Sequence, residues 1–179
     1  MAQAFVGRRY NLIMVIIFLR GLPGSGKTSI AHKLEEKLDC AEVIHSDAFK
    51  IDYLKKHKDC DFADACKYSY SKTIKRLSAL SVKKIIIVEE LFYDSDFVQK
   101  IRDFCREKNI RTFWFYLKRN LNKLLEIENS RKRKIKNTRG GLLKLQKDLD
   151  KIKIENEKIV LNDGNIDESV NFILENIKM

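Results

Sequence analysis

"FLRGLPGSGKTSIAHKL", Phe18 to Leu34, gathers the chain's only proline and three of its seven glycines into six residues directly after an apolar run. Within it, Gly21-Leu22-Pro23-Gly24-Ser25-Gly26-Lys27-Thr28 satisfies G-x-x-x-x-G-K-[ST] and sits where that pattern needs to sit, between a buried strand and an amphipathic helix. Glycines let the backbone wrap closely enough for several N–H groups to point inward, and a helix starting near Lys27 adds its positive dipole end to the same spot. Such a nest is expected to hold the polyphosphate of a nucleoside triphosphate. Gly21, Pro23, Gly24, Ser25 and Gly26 would shape it, Lys27 would reach the β- and γ-phosphates, and the Thr28 hydroxyl would ligate Mg²⁺.

Working outward, Leu12 to Leu19 is near-continuously apolar and branched, which predicts a central parallel strand covered on both faces. Ile30, Leu34 and Leu38 recur every fourth residue and predict a helix of about three turns after the loop. Glu42 to His45 reads as a short strand, and Phe62, Cys66, Tyr70, Ile74 and Leu77 give a helical stripe. Lys83 to Glu90 is a second buried strand, Phe97, Ile101 and Phe104 lie on a helix, and Arg111 to Leu117 is an aromatic strand. From Leu121 the chain reads as charged and helical, apart from Gly140-Gly141, until Lys158 to Asn162 supplies a fifth strand. Asp163-Gly164 then makes a turn, Asn165 with Glu168 resembles a capping box, and Ile166, Val170, Ile173 and Ile177 form the stripe of a last helix. Five strands separated by helices predict a three-layer α/β domain with a parallel sheet.

The length of 179 residues suits one domain with a full core, and the apolar fraction is an ordinary 44%. Residues 1–11 read as an extension, with Met14 an alternative start. Arg8-Arg9 followed by an apolar run has the outline of a secretory signal, but the run is too short to span a bilayer and enters the Gly-rich loop without a small-residue cleavage site. A buried strand and no membrane partner are expected. Thirty-six Lys and Arg against 25 Asp and Glu give +11, an excess that favours polyanionic partners such as RNA and equally fits a solubility or lineage feature. Cys40, Cys60, Cys66 and Cys105 form no CxxC pair, and His57, Cys60 and Cys66 match no zinc spacing, so reduced thiols in a cytoplasmic protein fit best.

A phosphate loop does not say whether the phosphoryl group goes to a substrate, to water, or is only sensed. Asp47, just past the second strand, lies on the sheet edge where ligands of open α/β folds bind, and it could accept a substrate hydroxyl's proton. Ser46 or Asp47 could alternatively cap the next helix. Glu89 and Glu90 end the third strand, and adjacent strand residues face opposite ways, so only one of them can serve a metal; Glu89 is the choice made here. Arg131 to Arg139 holds six basic residues and no acid, a run that would repel itself at helical spacing unless a phosphate or solvent relieves it. Arginine clamps phosphate oxygens with two hydrogen bonds, so Arg131 and Arg133 are candidate transition-state groups, with Arg119 behind them as a cofactor contact.

On these residues the chain resembles the small P-loop kinases related to polynucleotide kinase and zeta toxin, and especially the seryl-tRNA(Sec) kinase group. "GLPGSGKT" is similar to that group's phosphate loop, "SDAFK" to its acidic motif after the second strand, "IIVEELFYDSDFVQKI" to the segment after its third strand, and "FYLKRNLNKLL" to the segment leading into its lid. Glu89-Glu90 stands where the group has Asp-Asp, and Leu91-Phe92 where it has Thr-Asn. The resemblance implies a single P-loop kinase-like domain over residues 1–179 with a helical lid near 120–155, ATP and Mg²⁺ as cofactors, and an Asp47-type base. It implies phosphoryl transfer to a hydroxyl of a nucleic acid, a nucleotide or a small metabolite. Two other readings stay open: a nucleotide-dependent regulatory or RNA-binding ATPase, and a toxin-like sugar-nucleotide kinase.

Overall fold

The computed structural model describes residues 14–80, 85–132 and 136–177. Its five strands are β1 (Val15–Gly21), β2 (Ala41–His45), β3 (Ile85–Glu89), β4 (Arg111–Lys118) and β5 (Lys158–Leu161). They interleave with seven helices: α1 (Lys27–Lys37), α2 (Ser46–Lys56), α3 (Phe62–Ser78), α4 (Ser95–Glu107), α5 (Leu121–Ser130), α6 (Arg139–Lys151) and α7 (Ile166–Asn176). All pairings are parallel, in the order β2-β3-β1-β4-β5. The predicted three-layer α/β architecture is the one observed. The sheet's course reverses at β1, so its carboxyl end opens a crevice between the β2–β3 and β4–β5 halves, where open α/β sheets take their ligands.

Alternation along β1 divides the core between the two faces. Ile16 and Phe18 pack with Tyr70, Leu77, Phe97 and Ile101 of α3 and α4, and Phe18 stacks on Trp114 at 4.0 Å. Ile17 and Leu19 pack instead with Ile30 and Leu34 of α1 and with Val170 and Ile173 of α7. A third, smaller cluster joins Leu22 and Tyr116 to Leu124, Leu142 and Leu149, seating α5 and α6 beside the loop.

Three local expectations need correction. The charged stretch from Leu121 breaks at Arg131, not at Gly140-Gly141: α5 ends at Ser130 and α6 begins at Arg139. Thr138 caps α6 by accepting the Gly141 N–H at 3.1 Å, and the glycines sit in the first turn, where burial of Leu142 and Leu149 outweighs their low propensity. Phe62 opens α3 but is 55% exposed and does not join its buried stripe. Asn165 caps α7 with its side-chain oxygen accepting the N–H of Asp167, while the N–H of Glu168 goes to the Asn165 backbone carbonyl. Residues 1–11, and Leu12 and Ile13 of the first predicted strand, lie outside the described residues, as do Lys83 and Lys84 of the third.

Candidate active site

Between β1 and α1 the loop turns in on itself through left-handed backbone at Gly24 and Gly26. At Gly26, φ is +96° and a Cβ would lie 2.2 Å from Asn162 Nδ2, so both the backbone and the space require glycine. Two residues from the far half of the sheet hold this loop from behind. Arg119, just past β4, donates from Nε to the Asn162 carbonyl at 2.5 Å and from an amino group to the Gly24 carbonyl at 3.1 Å. Asn162, just past β5 and fully buried, donates to the Ser25 carbonyl at 2.8 Å and accepts the Ser169 hydroxyl of α7 at 3.1 Å. Lys27 folds its ammonium back onto the carbonyls of Gly21 (2.8 Å) and Leu22 (3.2 Å), and burial pushes its pKa below the ordinary lysine value.

On the opposite side, the ends of β2 and β3 supply acids. The Thr28 hydroxyl lies 3.0 and 2.8 Å from the two oxygens of Glu89, and His45 Nδ1 reaches Glu89 Oε1 at 2.6 Å. Glu90 faces the other layer, as alternation requires; its carboxylate approaches Lys50 at 4.0 Å, and burial, then the nearby Asp47 charge, raise its pKa. Asp47 stands in the first turn of α2 without capping it, half exposed and ion-paired with Lys50 one turn on. Burial alone would lower the Lys50 ammonium, but the Glu90 and Asp47 carboxylates outweigh it and raise its pKa.

Arg131, the residue that ends α5, donates to the fully buried Glu128 at 2.7 Å, and the same carboxylate accepts both the backbone N–H and the side-chain amide of Asn137 at 2.9 Å. Glu128 thereby gathers both ends of the segment joining α5 to α6. The far end of α6 is tied to the sheet by Arg20, the last side chain of β1 before the loop. Buried in the sheet, Arg20 donates to the carbonyls of Leu149 (3.3 Å) and Ile152 (3.1 Å) and to Glu157 (2.9 Å), with its guanidinium 4.5 Å from the Tyr116 ring centre. Arg133 lies outside the described residues.

These groups converge on one cleft of about 830 Å³. Pro23, Gly24, Gly26, Lys27 and Thr28 form its floor, with Glu89 beside them. Arg119, Arg131 and Asn137 stand on one wall; Asp47, Lys50, Phe62 and Tyr93 stand on the other. The residues present fit a polyphosphate with Mg²⁺. The loop is glycine at its two left-handed positions and carries a buried, unpartnered hydroxyl at Ser25, while a hydroxyl–carboxylate pair lies beside a confined lysine. Mg²⁺ takes few protein ligands and completes its shell with phosphate oxygens and water, so a single carboxylate and a threonine suffice. Among the described residues no group of three or more His, Cys, Asp or Glu is placed to hold a metal ion.

The sequence reading missed Asn162, His45, Lys50, Glu128 and Arg20. Asn162 and His45 each follow or end a strand at the sheet's carboxyl edge, a place that could have singled them out. Lys50 stands one helical turn from Asp47, a spacing that pairs opposite charges. Glu128 is one acid in a highly charged helix, and its burial leaves no trace in local pattern. Arg20 is the one charge in an apolar strand, readable as a buried cation needing a partner.

Comparison with known proteins agrees with this arrangement. The tunicamycin resistance protein of Deinococcus radiodurans superposes with a TM-score of 0.68 at 16% identity, over 93% of this chain and 96% of that one. Shikimate kinase from Bacteroides thetaiotaomicron gives 0.64 at 14% identity, over 92% and 99%. The APS kinase CysC of Mycobacterium tuberculosis, solved with AMPPNP and APS, gives 0.62 at 15% identity, over 91% and 96%. At such identities these likenesses establish the fold alone. No curated protein matches by sequence. The profile of a family described as "Chromatin associated protein KTI12" matches residues 14–160. The chain therefore belongs to the KTI12 family and carries a P-loop kinase-like fold.

Proposed function

We propose that the chain is an ATP- and Mg²⁺-dependent phosphotransferase that moves the γ-phosphoryl group to a hydroxyl of a nucleic acid, a nucleotide or another small metabolite. The observation that carries this reading is the meeting in one cleft of the Gly21–Thr28 loop, the Thr28–Glu89 pair and the Asp47 carboxylate. A site that only sensed nucleotide would need the first two and have no use for the third. Residues 1–179 are read as one P-loop kinase-like domain, with residues 120–155, containing α5 and α6, as its lid and residues 1–11 as an extension. Four free cysteines among the described residues suit a reducing compartment such as the cytoplasm.

In this scheme Lys27 exchanges the carbonyls of Gly21 and Leu22 for β- and γ-phosphate oxygens, a short movement within the same pocket. Thr28 and Glu89 would hold Mg²⁺, which when bound supplies charge neutralisation on the phosphates. Arg119 keeps the loop closed from behind, and Arg131 approaches the phosphates from the lid side, with Arg133 a further lid candidate. Asp47 accepts the proton of the attacking hydroxyl on the β2–β3 side of the loop. Positioning and fixed charge supply most of the rate, as phosphoryl transfer generally requires.

A second reading is a nucleotide-dependent regulatory or RNA-binding ATPase. It is favoured by the ion pairing of Asp47 with Lys50, by the net charge of +11, and by a family description that names chromatin. Incubation with γ-labelled ATP and a cell extract split into RNA and small-molecule fractions separates the two. Label in a covalent acceptor supports the kinase; free phosphate released faster with RNA, and no labelled acceptor, would sink it.

A further inference from the structure

Glu89 stands as a Mg²⁺ ligand only if its carboxylate is held toward Thr28, and a glutamate at a strand end has three side-chain torsions with which to turn away. The fold supplies a restraint that the phosphate-loop pattern does not contain. In the parallel pairing of β2 with β3, His45 is in register with Glu89, so the two side chains leave the sheet on the same face, side by side. His45 Nδ1 meets Glu89 Oε1 at 2.6 Å, while the Thr28 hydroxyl spans both oxygens at 3.0 and 2.8 Å. A carboxylate oxygen accepts, so Nδ1 carries the hydrogen in this contact. Two donors from different elements thus fix the plane of the carboxylate. His45 is one-third exposed in its side chain and Glu89 about one-tenth, which leaves His45 at the rim of the site and Glu89 inside it. The His32 ring of α1, 5.1 Å away, limits the imidazole from its other side.

We propose that His45 is a positioning residue that prearranges Glu89 for the divalent cation, a role resting on the Mg²⁺ reading above. It touches neither nucleotide nor metal and acts through Glu89. Outer partners of this kind commonly change metal affinity by about tenfold to a hundredfold. His45→Ala therefore weakens the part of nucleotide binding that depends on Mg²⁺ and spares the part that does not.

The test is a fluorescence titration of the full chain with a methylanthraniloyl-ATP probe, run with Mg²⁺ and again with EDTA, for wild type, His45→Ala and His45→Asn. Asparagine can place an amide N–H near the position of Nδ1 and is the conservative replacement. The expected result is unchanged binding in EDTA for all three, a loss of about tenfold or more of the Mg²⁺-dependent gain in His45→Ala, and its recovery for the most part in His45→Asn. Three results overturn the proposal: an undiminished Mg²⁺ gain in His45→Ala, an equal loss with and without Mg²⁺, or no advantage of asparagine over alanine. A wild type that binds the probe but gains nothing from Mg²⁺ refutes the metal reading of Thr28 and Glu89 itself, and the proposal falls with it.

Discussion

The two walls of the cleft are built from different materials. On the β4–β5 side the phosphate loop is held by hydrogen bonds with neutral acceptors: Arg119 to the carbonyls of Gly24 and Asn162, and, fully buried, Asn162 to Ser25 and Ser169 to Asn162. On the β2–β3 side the facing residues are Asp47 and Lys50, with Glu90 buried behind Lys50 and Ile51 and Phe62 at least half exposed at the rim. A network of several converging hydrogen bonds to backbone carbonyls is rigid, whereas an ion pair with a half-exposed carboxylate rearranges at small cost. The difference suits the proposed roles. The polyphosphate has one shape for every turnover and rewards a fixed cradle, while the acceptor wall must admit a hydroxyl compound and give up the Asp47–Lys50 pairing when it does.

That contrast can be broken from either side. The largest effect is expected for Lys27→Ala, which removes the cation that meets the transferred phosphate: turnover of ATP should fall by about a thousandfold or more, measured as phosphate release or transfer. Asn162→Ala removes the side-chain donor that holds the buried Ser25 carbonyl, at about 1–3 kcal/mol, so ATP affinity should drop by about tenfold to a hundredfold in equilibrium titration. An Asn162→Ala protein with wild-type affinity would show that the cradle is not preformed by this network. Lys50→Met should leave ATP affinity within about twofold of wild type while altering the Michaelis constant for the acceptor, since Lys50 lies on the opposite wall.

The smallest effect concerns the outer support of the cradle. Lys33 of α1 hydrogen-bonds Asp167 of α7 at 2.6 Å and lowers the Asp167 pKa below the ordinary aspartate value. A carboxylate with a depressed folded-state pKa adds stability above its unfolded value and loses it as pH falls through the folded one. Wild type should therefore lose slightly more stability than Asp167→Asn on acidification through that range, as read by denaturant midpoints; the pair is exposed, so the difference should be small.

The architecture was readable because its signals are local. An apolar run at Val15 to Leu19, a glycine-rich turn and a four-residue stripe at Ile30 and Leu34 each demand one conformation, and their order demands the sheet. Lys27 and Thr28 were readable for the same reason, being neighbours in a motif. Strand alternation said that only one of Glu89 and Glu90 could serve a metal but not which, and the contact of Glu89 with Thr28 is visible only in the fold. What escaped notice depends on contacts across long stretches of chain: Asn162 reaches Ser25 over 137 residues, and Arg20 meets Glu157 over the same separation. Nothing in the neighbourhood of either residue encodes its partner. The end of the first charged helix was misplaced because the reading took the two glycines as its interruption, whereas in the fold α5 ends at Ser130 and the glycines are carried inside the first turn of α6.

The central claim is that one wall binds nucleotide and the other performs transfer. Its most direct test is Asp47→Asn, with affinity for a non-hydrolysable ATP analogue and transfer to an identified acceptor measured on the same preparation. The account predicts affinity within about twofold of wild type and transfer reduced by about a hundredfold or more. Full transfer with unchanged affinity would contradict it.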